Sequence, residues 1–376
     1  MAVNNPSPQS QVRFPYARVL LNGKPVQNWE TAMVTKNAHY VSDNWSVELP
    51  MNGLVAPFDA AYFGTQTDLQ MEIQAGFKNA DGTLGSPTSL IIGVVDEIDE
   101  DFLREDGSQM IVMRGRDYTG ALIDSIVTFT YKNMTSSQVA AKIAANHPEL
   151  KPKITATHKK VGSYFNNETN LESRKISEWD LLTQLAQDEG FVILIRGTQL
   201  YFGQPEKPNE TNPYIFKYVP RDAGQVLQSN VLTLKCTRAL TVARDVKVVV
   251  QSFSRATGKK AKAEASALNP LRNNRTGNKA GTQIYSYNIP NKTHAQCQDL
   301  ATAYLKQITK RERVIEISAP GDPLLTDDTV MSLTGTNTAW DQFYFADRIE
   351  HELNANSGWL MRVRAKNHST SSTLPT

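Results

Sequence analysis

The chain has 376 residues, of which 40% are hydrophobic and 21% charged, so it has enough apolar mass for several globular cores. Its net charge of +2 argues against a protein-wide attraction for nucleic acids, and its two cysteines and six histidines show no metal-like spacing. The N-terminal sequence has no signal-peptide pattern, and no apolar run is long enough to span a bilayer. We therefore expect a protein that folds in the cytoplasm and has no membrane partner.

The first part of the chain predicts a β-domain at residues 12–125, preceded by a flexible polar arm at 1–11. Short segments of alternating polarity, separated by Gly, Asn and Asp turns, are typical of a β-barrel or a sandwich. The predicted strands are 17–21, 26–29, 46–49, 69–77, 90–95 and 110–115.

Residues 126–204 predict an α+β insert. After a short strand at 128–131, Thr135 and Gln138 form a capping box that opens a helix at 136–146, and a polar loop at 159–175 follows. Ser177 caps a second helix, which Gly190 ends. Strands at 191–195 and 200–202 then form a hairpin. The apolar stripe of the second helix is expected to pack on this hairpin. Its polar face is a candidate contact surface and contains Glu178, Gln184, Gln187 and Asp188.

Residues 205–367 predict a second β-domain that contains one helix, and 368–376 predict a loose tail. Thr293 and Gln296 form the capping box of that helix, which runs to about residue 308. The predicted strands are 214–219, 231–236, 246–253, 313–318, 329–335, 342–350 and 359–365.

An acidic run between two predicted strands is the nearest approach to a catalytic constellation, and it consists of Asp96, Glu97, Asp99, Glu100 and Asp101. A glycosidase or a calcium site could use such carboxylates. The run has no EF-hand spacing and no glycine at a sharp turn, so a solvated loop is the favoured interpretation. The sequence thus predicts no catalytic residue, no cofactor and no metal ligand.

A basic stretch at 255–279 is the one unusual charge feature. It looks like a loop and contains Arg255, Lys259, Lys260, Lys262, Arg272, Arg275 and Lys279 against the single acid Glu264. It lacks interleaved aromatic residues, so it is not a platform for base stacking. Three interpretations stay open: a solvated loop, a contact with an acidic partner, or a lining that faces nucleic-acid phosphates.

Four segments, taken in order, resemble one known family. Residues 179–202 are similar to the "WxLLxxLAxxxGF…LxF" stretch of contractile-tail hub proteins, which include phage baseplate hub or late control proteins and the N-terminal part of type VI secretion spike proteins. Residues 115–122 look like the exit from the family's first barrel, and 321–330 look like its late "GxPxLxxGDxV" turn. Residues 345–363 resemble its closing hairpin.

This resemblance implies a fold of two tail-tube-like β-barrel domains that flank a small α+β domain. It implies a homotrimer whose pseudo-six-fold ring joins the tail tube to the central spike and lets DNA pass, in the virion baseplate and with no enzyme activity. The implied partners are a tail tube or tube-initiator protein, a separate spike protein and other baseplate subunits, while DNA only passes through the lumen. The basic stretch is then expected to face a neighbour.

Two alternatives stay open. The chain could be a distal tail component of a non-contractile phage or a secretion-spike component. It could also be a glycan hydrolase of the tail tip that uses the acidic run at 96–101.

Overall fold

The computed structural model describes residues 14–38, 40–79, 81–127, 131, 133–158, 160–161, 176–205, 210–219, 229–239, 246–253, 258–267, 283–290, 292–309, 312–354, 356 and 358–367. The fold is mainly β with an α+β insert, as the sequence predicts. The predicted arm at 1–11, the tail at 368–376 and the loop segment 162–175 lie outside the described residues, as does the predicted strand at 128–131 except for Tyr131.

The first β region is an antiparallel array in which alternating side chains form one core. Its elements are β1 (Pro15–Leu21), β2 (Lys24–Val26), β3 (Thr31–Asn37), β4 (Asn44–Pro50), a 3-10 turn (Met51–Gly53), α1 (Ala60–Phe63), β5 (Gln70–Phe77), β6 (Thr88–Asp101) and β7 (Met110–Asp117). In β4, for example, Trp45, Val47 and Leu49 all point into the core. Strand β3 was not predicted, and β6 is longer than predicted.

The insert packs helices against a small sheet. Its elements are α2 (Thr119–Asp124), β8 (Met134–Thr135), α3 (Ser136–Ala144), β9 (Lys151–Ile154), β10 (Lys160–Val161), α4 (Glu178–Glu189), β11 (Val192–Arg196) and β12 (Gln199–Gly203). The short β10 lies within the segment predicted as a loop at 159–175. Both predicted caps are confirmed, because Thr135 and Gln138 bond reciprocally and the Ser177 hydroxyl accepts the Asp180 N–H at 3.0 Å. None of the described helices, here or elsewhere in the chain, is long and apolar enough to cross a membrane.

The second β region contains a six-strand array and a separate small sheet covered by a helix. The array consists of β13 (Tyr214–Lys217), β14 (Thr233–Arg238), β18 (Arg313–Pro320), β19 (Val330–Thr334), β20 (Phe343–Asn354) and β21 (Gly358–Lys366). The small sheet has the order β16 (Lys260–Ala267), β15 (Val246–Phe253), β17 (Gln283–Asn288), and α5 (His294–Thr309) packs on it. The predicted cap of α5 is confirmed by the reciprocal bonds of Thr293 and Gln296.

One continuous sheet joins the two β regions. Its order is β14-β18-β21-β20-β3-β4-β7-β6-β5-β1-β2, with β19 also paired to β20 and β13 to β19. Among the described residues these pairings follow an open path, so the two closed barrels implied by the resemblance are not present as hydrogen-bonded rings. The side chain of Asn230 bridges part of the gap before β14, since it accepts from the Lys217 N–H and donates to the Ile215 carbonyl, both at 2.7 Å.

The β20–β21 hairpin serves both β regions. Ile349 and Met361 lie in the core of the second region, whereas Leu353 and Trp359, near the hairpin turn, lie in the core of the first. Residues from the end of the chain therefore complete a core that begins near residue 15, and a boundary at 125 leaves them outside the first region.

Candidate functional site

The polar face of α4 is only partly exposed. Gln184, Gln187 and Asp188 face solvent, as expected. The prediction that Glu178 is exposed is wrong: it is buried in the first turn of α4, and its Oε2 lies 2.6 Å from Nε2 of His147. The first turn of α4 packs near the segment that follows α3. Because a buried carboxylate is costly without a hydrogen-bond partner, the contact with His147 stabilises Glu178 in this position.

Asp188 links the insert to the second β region. Its Oδ1 lies 3.2 Å from Nζ of Lys292, which precedes α5. The backbone N–H of Lys292 in turn donates to the Ser252 hydroxyl at 2.8 Å. Within the predicted contact face, Gln184 and Gln187 are exposed and form no side-chain hydrogen bond to the rest of the described chain, whereas Asp188 already pairs with Lys292.

The basic stretch is a strand over part of its length, which corrects the loop prediction. Lys260 and Lys262 are exposed on β16, while Lys259 precedes the strand and is exposed. Glu264 receives hydrogen bonds from Lys247 and Lys262, which lower the pKa of this carboxyl to about 2. The four remaining predicted residues lie outside the described ones: Arg255, Arg272, Arg275 and Lys279.

The acidic run is also a strand and not a loop. It forms the second half of β6, and arginines of β7 face it across the ladder. Asp96 accepts two hydrogen bonds from Arg116, at 2.7 and 2.9 Å, and Arg114 contacts both Glu97 and Asp99. The hydrogen bonds that Arg116 donates to Asp96 and Asp124 raise the pKa of its guanidinium. Since both oxygens of Asp96 are engaged by a cation, its geometry suits cross-strand pairing better than proton donation to a glycosidic oxygen.

Sequence reasoning missed a partly buried polar junction, which we define as Lys36, Asp43, Asp117, Arg196 and Asp327. Lys36 Nζ lies 3.0 Å from Asp43 Oδ2, and Asp43 also accepts the Asn37 N–H at 2.7 Å. Asp117 accepts from the Ser42 hydroxyl at 3.0 Å and from the Thr119 N–H at 3.1 Å. These groups lie where β3, β4 and β7 meet the insert.

The polar junction connects all three parts of the chain. Arg196, at the end of β11 in the insert, reaches Asp327 at 3.3 Å and Asp328 at 3.2 Å in the second β region. Asp327 is also close enough to Lys36 to act on it electrostatically. A small cavity of about 20 Å³ lies among these groups. The junction therefore holds the insert between the two β regions with charged side chains.

Burial sets the protonation behaviour of the polar junction. It raises the pKa of Asp117 to about 7, and the nearby Asp43 adds to this shift. Burial also raises the pKa of Asp43, against the opposing effect of Lys36. Burial alone would lower the pKa of Lys36, but the carboxylates Asp43 and Asp327 outweigh it, and the net shift is upward.

Comparisons of the sequence with known families and proteins give no match. No family model matches the chain, and no curated protein matches it. Among the described residues, no three His, Cys, Asp or Glu side chains group as a metal site.

Comparisons of the structure give whole-chain matches. A tail protein from Neisseria meningitidis matches with a TM-score of 0.66 at 16% identity, over 94% of this chain and 96% of that one. The 43 kDa tail protein of prophage MuSo2 from Shewanella oneidensis matches with a TM-score of 0.66 at 14% identity, over 94% and 98% of the two chains. A type VI secretion component of Escherichia coli, described as similar to the T4 tail proteins gp27 and gp5, matches with a TM-score of 0.51 at 10% identity, over 96% and 79%. The chain therefore has the fold of these tail and secretion proteins.

Proposed function

We propose that this chain is a structural hub subunit of a contractile-tail baseplate, with no enzymatic role. The observation that carries the proposal is the structural match of 94% of this chain to nearly the whole of two tail proteins, one of which comes from a prophage. The described residues follow the order β region, insert and second β region, and the match spans 96% and 98% of the two tail proteins. The charge-paired acidic strand supports a structural role for the one run that could have been catalytic.

The proposed assembly is a homotrimer in which three chains contribute six β regions to a ring. Such a ring adapts a six-fold tail tube to a three-fold central spike, and its channel lets DNA pass. One feature supports it: among the residues that the structure describes, the sheet path ends at β2 and β14, and such edges can pair with strands of other chains. Repetition of one heterologous contact about an axis then closes a ring.

The proposed partners are a tail tube or tube-initiator protein on one side of the ring and a separate spike protein on the other. Other baseplate subunits contact the insert, for which the exposed Gln184 and Gln187 are available. A strongly basic lumen would hold DNA phosphates and slow their passage, so the basic residues of β16 face a neighbouring chain. In this proposal the protein assembles in the host cytoplasm and becomes part of the virion baseplate.

Light scattering during size-exclusion chromatography tests the proposed assembly. We expect a mass three times that of the 41.8 kDa chain, either alone or after addition of a spike partner. A chain that stays monomeric under both conditions contradicts the hub. If the chain instead hydrolyses peptidoglycan, and if Asp96→Asn or Glu97→Gln abolishes that activity, then the protein is a glycan hydrolase.

A secretion-spike component is the second candidate, because the Escherichia coli type VI secretion component shares the fold. Affinity purification from cells that carry tail genes, compared with cells that carry secretion genes, separates the two. Recovery with tail tube and baseplate proteins supports the phage hub, and recovery with secretion-tube proteins alone supports the second candidate.

A further inference from the structure

The turn that joins β6 to β7 presents two solvent-exposed apolar side chains. Phe102 is 60% exposed, and Leu103, at 81%, is the most exposed large apolar residue among those described. The turn is well built: the Arg104 N–H donates to the Ser108 carbonyl at 3.0 Å, and Gly107 adopts a φ of +79°. We call residues 101–109 the hairpin tip. Exposing these side chains on an ordered turn costs hydrophobic free energy, which a docking partner would recover.

The hairpin tip has an acidic rim. Glu100, Glu105 and Asp106 lie on or beside it, and no ion pair connects these three to a basic side chain among the described residues. Arg104 is paired with Asp101 at 3.0 Å, so it does not neutralise the rim as a whole. The tip therefore offers an apolar centre surrounded by negative charge.

A groove on the small sheet has the opposite rim. It has a volume of about 450 Å³, and its apolar side chains are those of Phe253 and Pro290, since the neighbouring Ala261 and Ile289 pack toward α5. Phe253 is 50% exposed. Lys260 and Lys262 line the same groove from β16, and the exposed Lys259 precedes Lys260. We call this the basic groove.

We propose that the hairpin tip of one chain docks in the basic groove of a second copy of the same chain. The apolar side chains Phe102 and Leu103 cover Phe253 and Pro290, while the acidic rim of the tip faces Lys259 and Lys260. Charge complementarity favours a second copy as the occupant, because the acidic hairpin tip and the basic groove both belong to this chain.

The contact is heterologous, since the tip and the groove are different surfaces, and it can therefore repeat around a ring. This inference rests on the proposed ring and specifies which surfaces meet in it. A stable interface usually buries about 800 Å² on each partner, from about 20 to 30 residues a side. The tip and groove supply only part of that area, so the contact fixes the register of a larger interface that includes sheet edges.

Cross-linking between differently tagged chains tests the contact. The background is cysteine-free, with Cys236→Ser and Cys297→Ala. One chain carries Leu103→Cys and the other Asn288→Cys, which replaces an exposed residue that lines the groove. The matched control pairs Leu103→Cys with Gln187→Cys, which is also an exposed site and lies on the insert. A short bismaleimide should join tip and groove chains at least ten times more than the control pair, and should join two Leu103→Cys chains no more than the control.

Three outcomes are distinguishable. A trimer with selective tip-to-groove cross-links supports the contact. A trimer whose cross-links do not exceed the control overturns it and leaves the proposed hub intact. A chain that stays monomeric even after the proposed spike protein is added overturns both the contact and the proposed hub.

Charge reversal provides a second measurement that does not depend on cysteine reactivity. Lys260→Glu and Glu105→Lys each place like charges at the contact, and each should weaken self-association about three- to tenfold. The double variant should recover most of the loss, because the pair is restored with its signs exchanged. Additive weakening in the double variant contradicts the proposed contact.

Discussion

Replacing Gly321 with alanine should destabilise the first β region, although Gly321 belongs to the second. A Cβ at this position would lie 2.1 Å from Cγ of Trp359 and 2.2 Å from two neighbouring ring atoms. Real Cβ contacts are never this short, so either the ring or the turn must move. The Trp359 ring is 7% exposed, stacks on Phe77 at 5.6 Å and donates to Nδ1 of His351 at 3.3 Å.

The expected loss of folding stability lies between two known kinds of effect. Overpacking of a core typically costs about 1–3 kcal/mol, and losing a buried aromatic side chain altogether costs about 3–5 kcal/mol. Because the ring stacks on Phe77 and its N–H is hydrogen-bonded to His351, it cannot move freely, and we expect Gly321→Ala to lower the free energy of unfolding by about 2–4 kcal/mol. Urea unfolding, followed by circular dichroism and by tryptophan fluorescence, measures this loss.

Gly64→Ala is the matched control for this substitution. Gly64 ends α1 with a φ of −69°, which alanine adopts without strain, and its nearest outside atom would be 3.5 Å from the new Cβ. We expect a change within about 1 kcal/mol, with the sign toward stabilisation. If Gly321→Ala costs no more than Gly64→Ala, then the Trp359 ring is not packed as described and the shared hairpin core is wrong.

Three other predictions address the polar junction, the strand bridge and the insert. Between pH 3.8 and about 7 the folded chain keeps a proton on Asp117 that the unfolded chain releases, so stability falls as pH rises through this window, by up to about 1.4 kcal/mol per pH unit. Asp117→Asn should flatten this slope in urea titrations at several pH values, and an unchanged slope contradicts the assignment. Asn230→Ala leaves two backbone groups of β13 without their side-chain partner and should cost about 1–3 kcal/mol, with faster amide hydrogen exchange at Lys217. Ser177→Ala should cost about 1 kcal/mol by loss of the α4 cap, whereas Ser177→Thr, which keeps the hydroxyl, should cost clearly less in the same thermal unfolding assay.

Features that depend on a few neighbouring residues were predictable from the sequence. The capping boxes at Thr135 and Thr293 and the cap at Ser177 all form, because donor and acceptor lie within three residues of each other. Gly190 ends α4 with a φ of +69°, which favours glycine for the same local reason.

Strands with many charged residues were harder to recognise. In β16, lysine, glutamate and serine alternate with alanine, and the alanines Ala261, Ala263 and Ala265 face α5. The period of two was present, but alanine has a low strand propensity and the positive charge suggested a loop. The acidic half of β6 was misread for a similar reason, since Arg114 and Arg116, which balance it, lie on another strand.

Long-range features could not be predicted from the sequence. The polar junction brings together Lys36, Asp117 and Asp327, which are far apart in the chain and carry no shared spacing. The same is true of Trp359, which completes a core formed mainly by residues before 120. The available signal was the resemblance of 115–122, 321–330 and 345–363 to a family, which indicated the order of these segments along the chain but not their contacts.

Electron cryomicroscopy of the purified chain, alone and with the proposed spike partner, tests the central claim most directly. The proposed hub predicts particles with three copies of the chain, seen along the axis as six β densities around an open channel with the inserts outside. Particles that contain a single chain, or a closed assembly with no channel on its axis, would contradict the hub.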